Sequence, residues 1–146
     1  MKLAYIAGPF RAKDKTHGYN YYEQQKNIEA ARDAGLRICQ VMRGEWYCFI
    51  PHMNTSHFQG AMPDQFWLDG DLEALRRCDA LVLLSTWWRS VGSRMEKQCA
   101  QKLNKPTMVY DPTMSDGAIR LGFKAIEYRL GRQQWWLKRF WRKVAS

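Results

Sequence analysis

The 146-residue sequence predicts an α/β domain built on a parallel sheet with helices on both faces. Three observations point there. Short apolar runs alternate with segments of helical spacing in the order β-α-β-α-β-α-β-α. One run, Ala80-Leu81-Val82-Leu83-Leu84, is apolar at every position, as a central strand covered on both sides must be. The length and a composition of 46% hydrophobic and 25% charged residues suit one globular domain and exclude intrinsic disorder. No apolar run approaches the ~18 residues of a membrane span. Met1 to Gly8 contains no apolar stretch of secretory length, so no signal peptide is expected.

The elements follow from local signals. Lys2 to Ala7 reads as the first strand, ended by Gly8-Pro9. Phe10 to Tyr19 reads as a polar loop. Tyr22 to Ala34 has helical spacing through Ile28 and Ala31, with Gly35 at a C-cap position. Trp46 to Ile50 is aromatic and β-branched and stops at Pro51, giving the second strand. Residues 52–62 read as a loop. Pro63 opens a helix over Asp64 to Arg77, with Phe66, Leu68, Leu72 and Leu75 available for burial. Asp79 to Leu84 is the third strand, with Asp79 bonding backbone at its entry. A loop from Ser85 to Gly92 and a helix from Ser93 to Leu103 follow. Pro106 to Tyr110 is the fourth strand, and Ser115 to Leu130 the last core helix.

Ligands in such sheets bind beyond the carboxyl ends of the strands, where strand order reverses. The loops Gly8 to Gly18, Pro51 to Ala61 and Ser85 to Gly92 should therefore line a site. No Gly-rich dinucleotide or P-loop signature is present, so neither conventional site is supported. Cys39, Cys48, Cys78 and Cys99 show no CxxC spacing. They read as reduced thiols of a cytoplasmic protein, with no disulfide framework and no zinc site.

The formal charge of +9 is concentrated at one end. From Arg120 onward eight basic residues stand against one acid, a net +7, and the preceding residues are nearly neutral. The same segment holds Trp135, Trp136, Phe140 and Trp141. Two readings stand: a C-terminal helix with a solvated basic face, or a surface that meets nucleic acid, an anionic membrane or an acidic partner.

Several residues are candidates for chemistry. Gly92 permits a close turn, and free N–H groups opening the helix after it can hold an anion. Glu96, in the first turn of that helix, would be kept ionised by the helix dipole and could attack a sugar carbon. Alternatively, Ser93 and Glu96 form a capping box and satisfy each other's backbone. Asp71 is either the second carboxylate of glycoside chemistry or an exposed helix residue. Gly8 and Arg11 form either a phosphate grip or a plain turn. His52 lies at the same sheet edge, and Tyr5 and Trp88 either stack on a nucleobase or belong to the core.

Taken together, Tyr5-Ile6-Ala7-Gly8-Pro9, the segment Asp71 to Ala80 and the block Trp88 to Glu96 resemble the nucleoside 2-deoxyribosyltransferase-like superfamily. The resemblance spans about residues 2–110 and is nearest to a branch of small bacterial and phage proteins related to deoxynucleoside 5′-monophosphate N-glycosidases. It implies a flavodoxin-like or Rossmann-like three-layer sandwich with four to five parallel strands, a homodimer, and cleavage of the N-glycosidic bond of a nucleoside or nucleotide. It places the nucleophile at Glu96 and the acid-base residue at Asp71, and puts Gly8, Arg11, Ser90 and Gly92 at a 5′-phosphate. Beside what the resemblance implies, Tyr5 is a third catalytic candidate, and His52 and Trp88 are further candidate substrate contacts. Arg94 and Lys97 flank Glu96 and would either pair with it or add phosphate affinity. No cofactor or metal is expected. The basic tail lies outside the resemblance, which divides the chain into a domain over 1–130 and an extension over 131–146. The rival reading is a non-catalytic nucleotide-binding protein whose tail contacts nucleic acid, membrane or a partner.

Overall fold

A computed structural model describes residues 1–11, 13–14, 18–58 and 60–144. The side chains of Phe140 and Trp141, counted above in the tail, lie outside the described residues. The first strand, β1 (Lys2–Ala7), leads into a small antiparallel ribbon of β2 (Lys13–Asp14) and β3 (Gly18–Tyr19) where a plain loop was expected. Then come α1 (Tyr21–Val41), β4 (Trp46–Phe49), α2 (Pro51–Asn54), α3 (Asp64–Arg77), β5 (Ala80–Leu84), a 3₁₀ turn at Trp87–Arg89, α4 (Val91–Lys102), β6 (Thr107–Tyr110) and α5 (Asp116–Val144).

The main sheet has four strands in the order β4-β1-β5-β6, all parallel. The chain moves outward from β1 to β4, then crosses back to β5 and on to β6. Strand order therefore reverses between β1 and β5, the switch point at which open α/β sheets bind ligands. Helices α1 and α5 cover one face through Ala31, Ala34, Ile38, Ile119, Phe123 and Ile126. Helices α3 and α4 cover the other, where Tyr5, Ala7, Leu81 and Leu83 meet Leu75 and Ala100. This is the three-layer sandwich that the alternating pattern predicts. Ala80 to Leu84 is buried at every position, as its unbroken apolar run requires.

Several local expectations are corrected. Gly35 does not end α1, which runs six residues further to Val41. Gly35 is buried inside the helix, where a Cβ would come within 2.5 Å of Ile50 Cδ1. The glycine thus lets α1 approach the end of β4. The helix closes instead at Met42: Arg43 N–H donates to Gln40 O and Gly44 N–H to Cys39 O, with φ of 51° and 77° at Arg43 and Gly44. That is a Schellman end. Residues 51–54, expected as loop, form the short α2, started by Pro51. On α3 only Leu75 is fully buried, and Phe66 is 53% exposed with its ring against Trp67. Helix α5 passes Leu130 without a break, although the last residue that packs on the sheet is Leu130 itself. Asp79 acts as expected: its carboxylate accepts from Leu3 N–H at 2.7 Å, tying the entry of β5 to β1.

Two glycines separate packing from propensity. Gly35→Val overfills the contact with Ile50 and should lower stability by about 2 kcal/mol. Gly70→Ala places a methyl in open space on α3 and should raise stability by up to about 1 kcal/mol. Urea denaturation of both variants checks the pair; equal signs would contradict the packing described.

Candidate active site

Each candidate side chain reaches the switch point from a different element. Tyr5 is on β1 and is completely buried, in the cluster that Leu75 of α3 and Ala100 of α4 close over the sheet. Its ring stacks on Phe49 with centroids 5.7 Å apart. That settles one expectation: the ring is core and offers no face to a nucleobase. The hydroxyl instead donates to Glu96 Oε1 at 2.6 Å.

Glu96 reaches that hydroxyl because α4 starts two residues earlier than its sequence suggests. Ser90 is the N-cap, and its Oγ accepts from Ser93 N–H at 3.3 Å. The capping box between Ser93 and Glu96 is therefore absent: Ser90, one turn before Ser93, takes the cap. Glu96 falls in the second turn, beyond the strongest pull of the helix dipole. Its carboxyl is turned inward to Tyr5, and the residue is 6% exposed, rather than bare at the helix mouth. The flanking cations are engaged elsewhere. Arg94 donates to Trp88 O at 3.0 Å, and Lys97 lies 4.1 Å from the centre of the Trp87 ring.

Burial pushes the Glu96 carboxyl up to about 7; the Tyr5 hydrogen bond opposes this and the negative charge of Asp71 adds to it. Asp71 is on α3, on the same stripe as the buried Leu75 one turn later. Burial raises its carboxyl to about 6. The Tyr5 hydroxyl is held well above its ordinary value by burial, then by Glu96 and Asp71. Tyr5, Glu96 and Asp71 thus act on one another's ionisation where β1, α3 and α4 meet.

The remaining candidates divide. Gly8 is buried at the end of β1, where a Cβ would meet Leu84 Cδ1 at 2.5 Å; its close approach is to this side chain. His52 is buried on α2 rather than exposed in a loop, and its Nε2 lies 3.1 Å from Gly8 O and 3.0 Å from Pro9 O. Two carbonyls can only accept, so Nε2 carries the hydrogen. Nδ1 is left buried without a partner. Burial lowers the His52 pKa and keeps the ring neutral. Its place in the fold is to pin the turn after β1. Arg11 reaches neither carboxylate of the central group: it forms a bidentate pair with Asp64, at 2.6 and 2.5 Å. Asp64 opens α3, seven residues or about 10 Å of helix rise before Asp71. Trp88 is 55% exposed, with the Arg89 guanidinium 5.0 Å from its ring centre.

Sequence reasoning missed two participants. Asp64 was read only as a helix start, although its i, i+7 relation to Asp71 puts both on one face. Ser93 was read only as a cap. Its hydroxyl is buried, has no partner and shares the α4 face with Gly92 and Glu96. Among the described residues no group of three or more His, Cys, Asp or Glu side chains is gathered as a metal site.

The fold is a three-layer α/β sandwich that is shared with a solved 2-deoxyribosyltransferase. The 2-deoxyribosyltransferase of Bacillus psychrosaccharolyticus superposes with a TM-score of 0.50 at 24% identity, over 77% of this chain and 74% of that one, and shares the fold. A 2-deoxyribosyltransferase from Leishmania mexicana gives 0.49 at 20% identity, over 81% and 77%. No curated protein matches the chain. Over residues 2–109 the chain belongs to the family described as Domain of unknown function (DUF4406).

The site carries a stability cost with a defined sign. Glu96 titrates at about 7 when folded against an ordinary 4.5, so its burial costs nothing below pH 4.5 and its full amount above pH 7. That amount is on the order of 3 kcal/mol. Stability should fall between pH 5 and 8, and Glu96→Gln should remove most of the fall and be the more stable protein at pH 8. Denaturation midpoints across this range check it; parallel curves for the two proteins would contradict the buried carboxyl.

Proposed function

We propose that the protein cleaves the N-glycosidic bond of a deoxynucleoside or nucleoside 5′-monophosphate through a covalent glycosyl ester on Glu96. The observation that carries the reading is the buried hydrogen bond between Tyr5 and Glu96 at 2.6 Å, near enough to Asp71 for its charge to raise the Glu96 pKa. Two carboxyls with raised pKa values beside one another suit glycoside chemistry, which uses one as nucleophile and one as acid. The fold shared with a 2-deoxyribosyltransferase supports the same class of bond.

The steps balance as follows. A Glu96 oxygen forms a bond to C1′ as the bond from C1′ to the base nitrogen breaks, and the electron pair leaves with the base. Asp71, protonated, delivers a proton to that base. Tyr5 keeps Glu96 oriented and stabilises its ionised form. Water then attacks C1′, gives its proton to the Asp71 carboxylate, and the ester breaks to return Glu96. A second free base in place of water makes the reaction a transfer. In this reading the turn Gly8 to Arg11 and the residues Ser90, Gly92 and Trp88 receive the phosphate and sugar, with His52 fixing the turn. The Arg11–Asp64 pair is exposed, so a phosphate can compete for the guanidinium at little cost. The homodimer implied by the resemblance belongs to the same proposal.

The reactive state holds one proton between the two carboxyls, with Glu96 ionised and Asp71 protonated; with Glu96 raised to about 7 and Asp71 to about 6, it is the minor of the two singly protonated forms. Free base released from a panel of nucleosides and 5′-monophosphates, read by chromatography, tests the reading. Release is expected from a monophosphate and should fall by roughly three orders of magnitude in Glu96→Ala. Nucleotide binding with no base released in the parent protein would leave the binding-protein reading instead.

The pH profile should be bell-shaped with its maximum between pH 6 and 7. Both limbs belong to the pair rather than to either carboxyl alone. Asp71→Asn should lower the rate by ~10²-fold or more and remove the high-pH limb. Tyr5→Phe should shift the profile upward, since the hydrogen bond that favours ionised Glu96 is lost. Limbs that do not move in either variant would contradict the assignment.

A further inference from the structure

Helix α5 has two apolar faces. Ile119, Phe123, Ile126 and Leu130 pack against the sheet. On the opposite side Leu121, Tyr128 and Trp135 recur every seven residues, which aligns them in one stripe; they are 69, 68 and 60% exposed. The stripe is about 21 Å long at the usual helical rise. Arg120 and Lys124 border one edge and Arg129 and Arg132 the other. The Arg132 guanidinium lies 5.9 Å from the Tyr128 ring centre, and Tyr128, Gly131, Arg132 and Trp135 line a shallow open depression. From Arg120 onward the sequence carries a net +7.

We infer that the outer face of α5 is a peripheral docking surface for a bilayer rich in anionic headgroups. Leu121, Tyr128 and Trp135 would enter the boundary between headgroups and acyl chains, and the bordering cations would meet lipid phosphates and carboxylates. Charge and apolarity together select this occupant. A second copy of the chain would set Arg120, Lys124, Arg129 and Arg132 against the same four cations across the contact. A nucleic-acid duplex would satisfy the cations but has no apolar receptor for a Leu-Tyr-Trp stripe. An anionic bilayer satisfies both. Among the described residues no helix is long and apolar enough to cross a membrane, so the contact lies in the interface plane. Helices α3 and α4, with the candidate active site, cover the other face of the sheet, so a docked α5 leaves the cleft facing away from the lipid.

The test is sedimentation of the full chain with vesicles of phosphatidylcholine alone and with phosphatidylserine added. At least tenfold tighter binding to the serine-containing vesicles is expected, with a blue shift of tryptophan emission. Lys124→Gln with Arg132→Gln should weaken that binding roughly thirtyfold. Tyr128→Ala with Trp135→Ala should weaken it at least tenfold and abolish what survives in high salt. All four positions are exposed, and unchanged circular-dichroism melts confirm that the variants are folded. No preference for the anionic vesicles, or full binding by the aromatic variant, would overturn the inference. So would tighter binding to a DNA duplex than to vesicles, which assigns the face to nucleic acid. Self-association lost in the aromatic variant, without vesicle binding, would assign it to a second copy.

Discussion

A phenol and a carboxyl, 2.6 Å apart where water is nearly excluded, set the terms for the rest of this structure. Neither group gains from that location by itself: burial opposes ionisation of both, and Asp71 adds a third group of the same sign. The surroundings have to impose it. Tyr5 is fixed by two parallel neighbours and by Phe49; Glu96 is fixed by a helix whose cap at Ser90 sets which residues turn inward. Moving the cap by one residue would rotate Glu96 by about 100° and part it from the hydroxyl. Such strain against the local preference of each group is the pattern found where a fold keeps reactive side chains ready.

The topology explains why these residues meet. The reversal of strand order between β1 and β5 opens a crevice at their carboxyl ends, and α3 and α4 form its walls on one face of the sheet. The turn after β1 is shaped by contacts with no role in chemistry. Gly8 leaves room for Leu84, and His52 holds the Gly8 and Pro9 carbonyls. On the other face, α5 is anchored through Trp46. The indole packs edge-on against Phe123 at 4.9 Å and donates to Glu127, which also accepts from Lys2. The molecule therefore separates its two unusual surfaces, a buried acidic cleft and an exposed cationic helix, by the thickness of the sheet.

Much of the framework was legible because its signals are local. An unbroken apolar run marked β5, Pro51 and Gly8-Pro9 marked strand ends, and Asp64 to Arg77 was bounded correctly by Pro63 and the apolar strand that follows. Two of the failures share an origin: a residue that serves a distant contact imitates a local signal. Gly35 resembles a helix end but provides clearance for Ile50. Ser93 and Glu96 have the spacing of a cap, yet Ser90 competes for it and wins. The last helix was bounded at Leu130, but α5 continues through Gly131, as exposed glycine in a helix is only mildly unfavourable. The site was legible as a set of residue types at the right edge of the sheet, helped by the resemblance of three motifs. Its connections were not. Tyr5 and Glu96 are 91 positions apart and Arg11 and Asp64 are 53 apart, and no periodicity encodes such pairs.

In the proposed reaction a Glu96 oxygen bonds C1′ of the sugar. Acid quenching of the protein during turnover of a 5′-monophosphate, followed by peptide mass spectrometry, tests it most directly. The account predicts a sugar-phosphate adduct on the peptide containing Glu96, at the Glu96 carboxyl. Base release with the adduct on another residue, or with none trapped while turnover is under way, would contradict it.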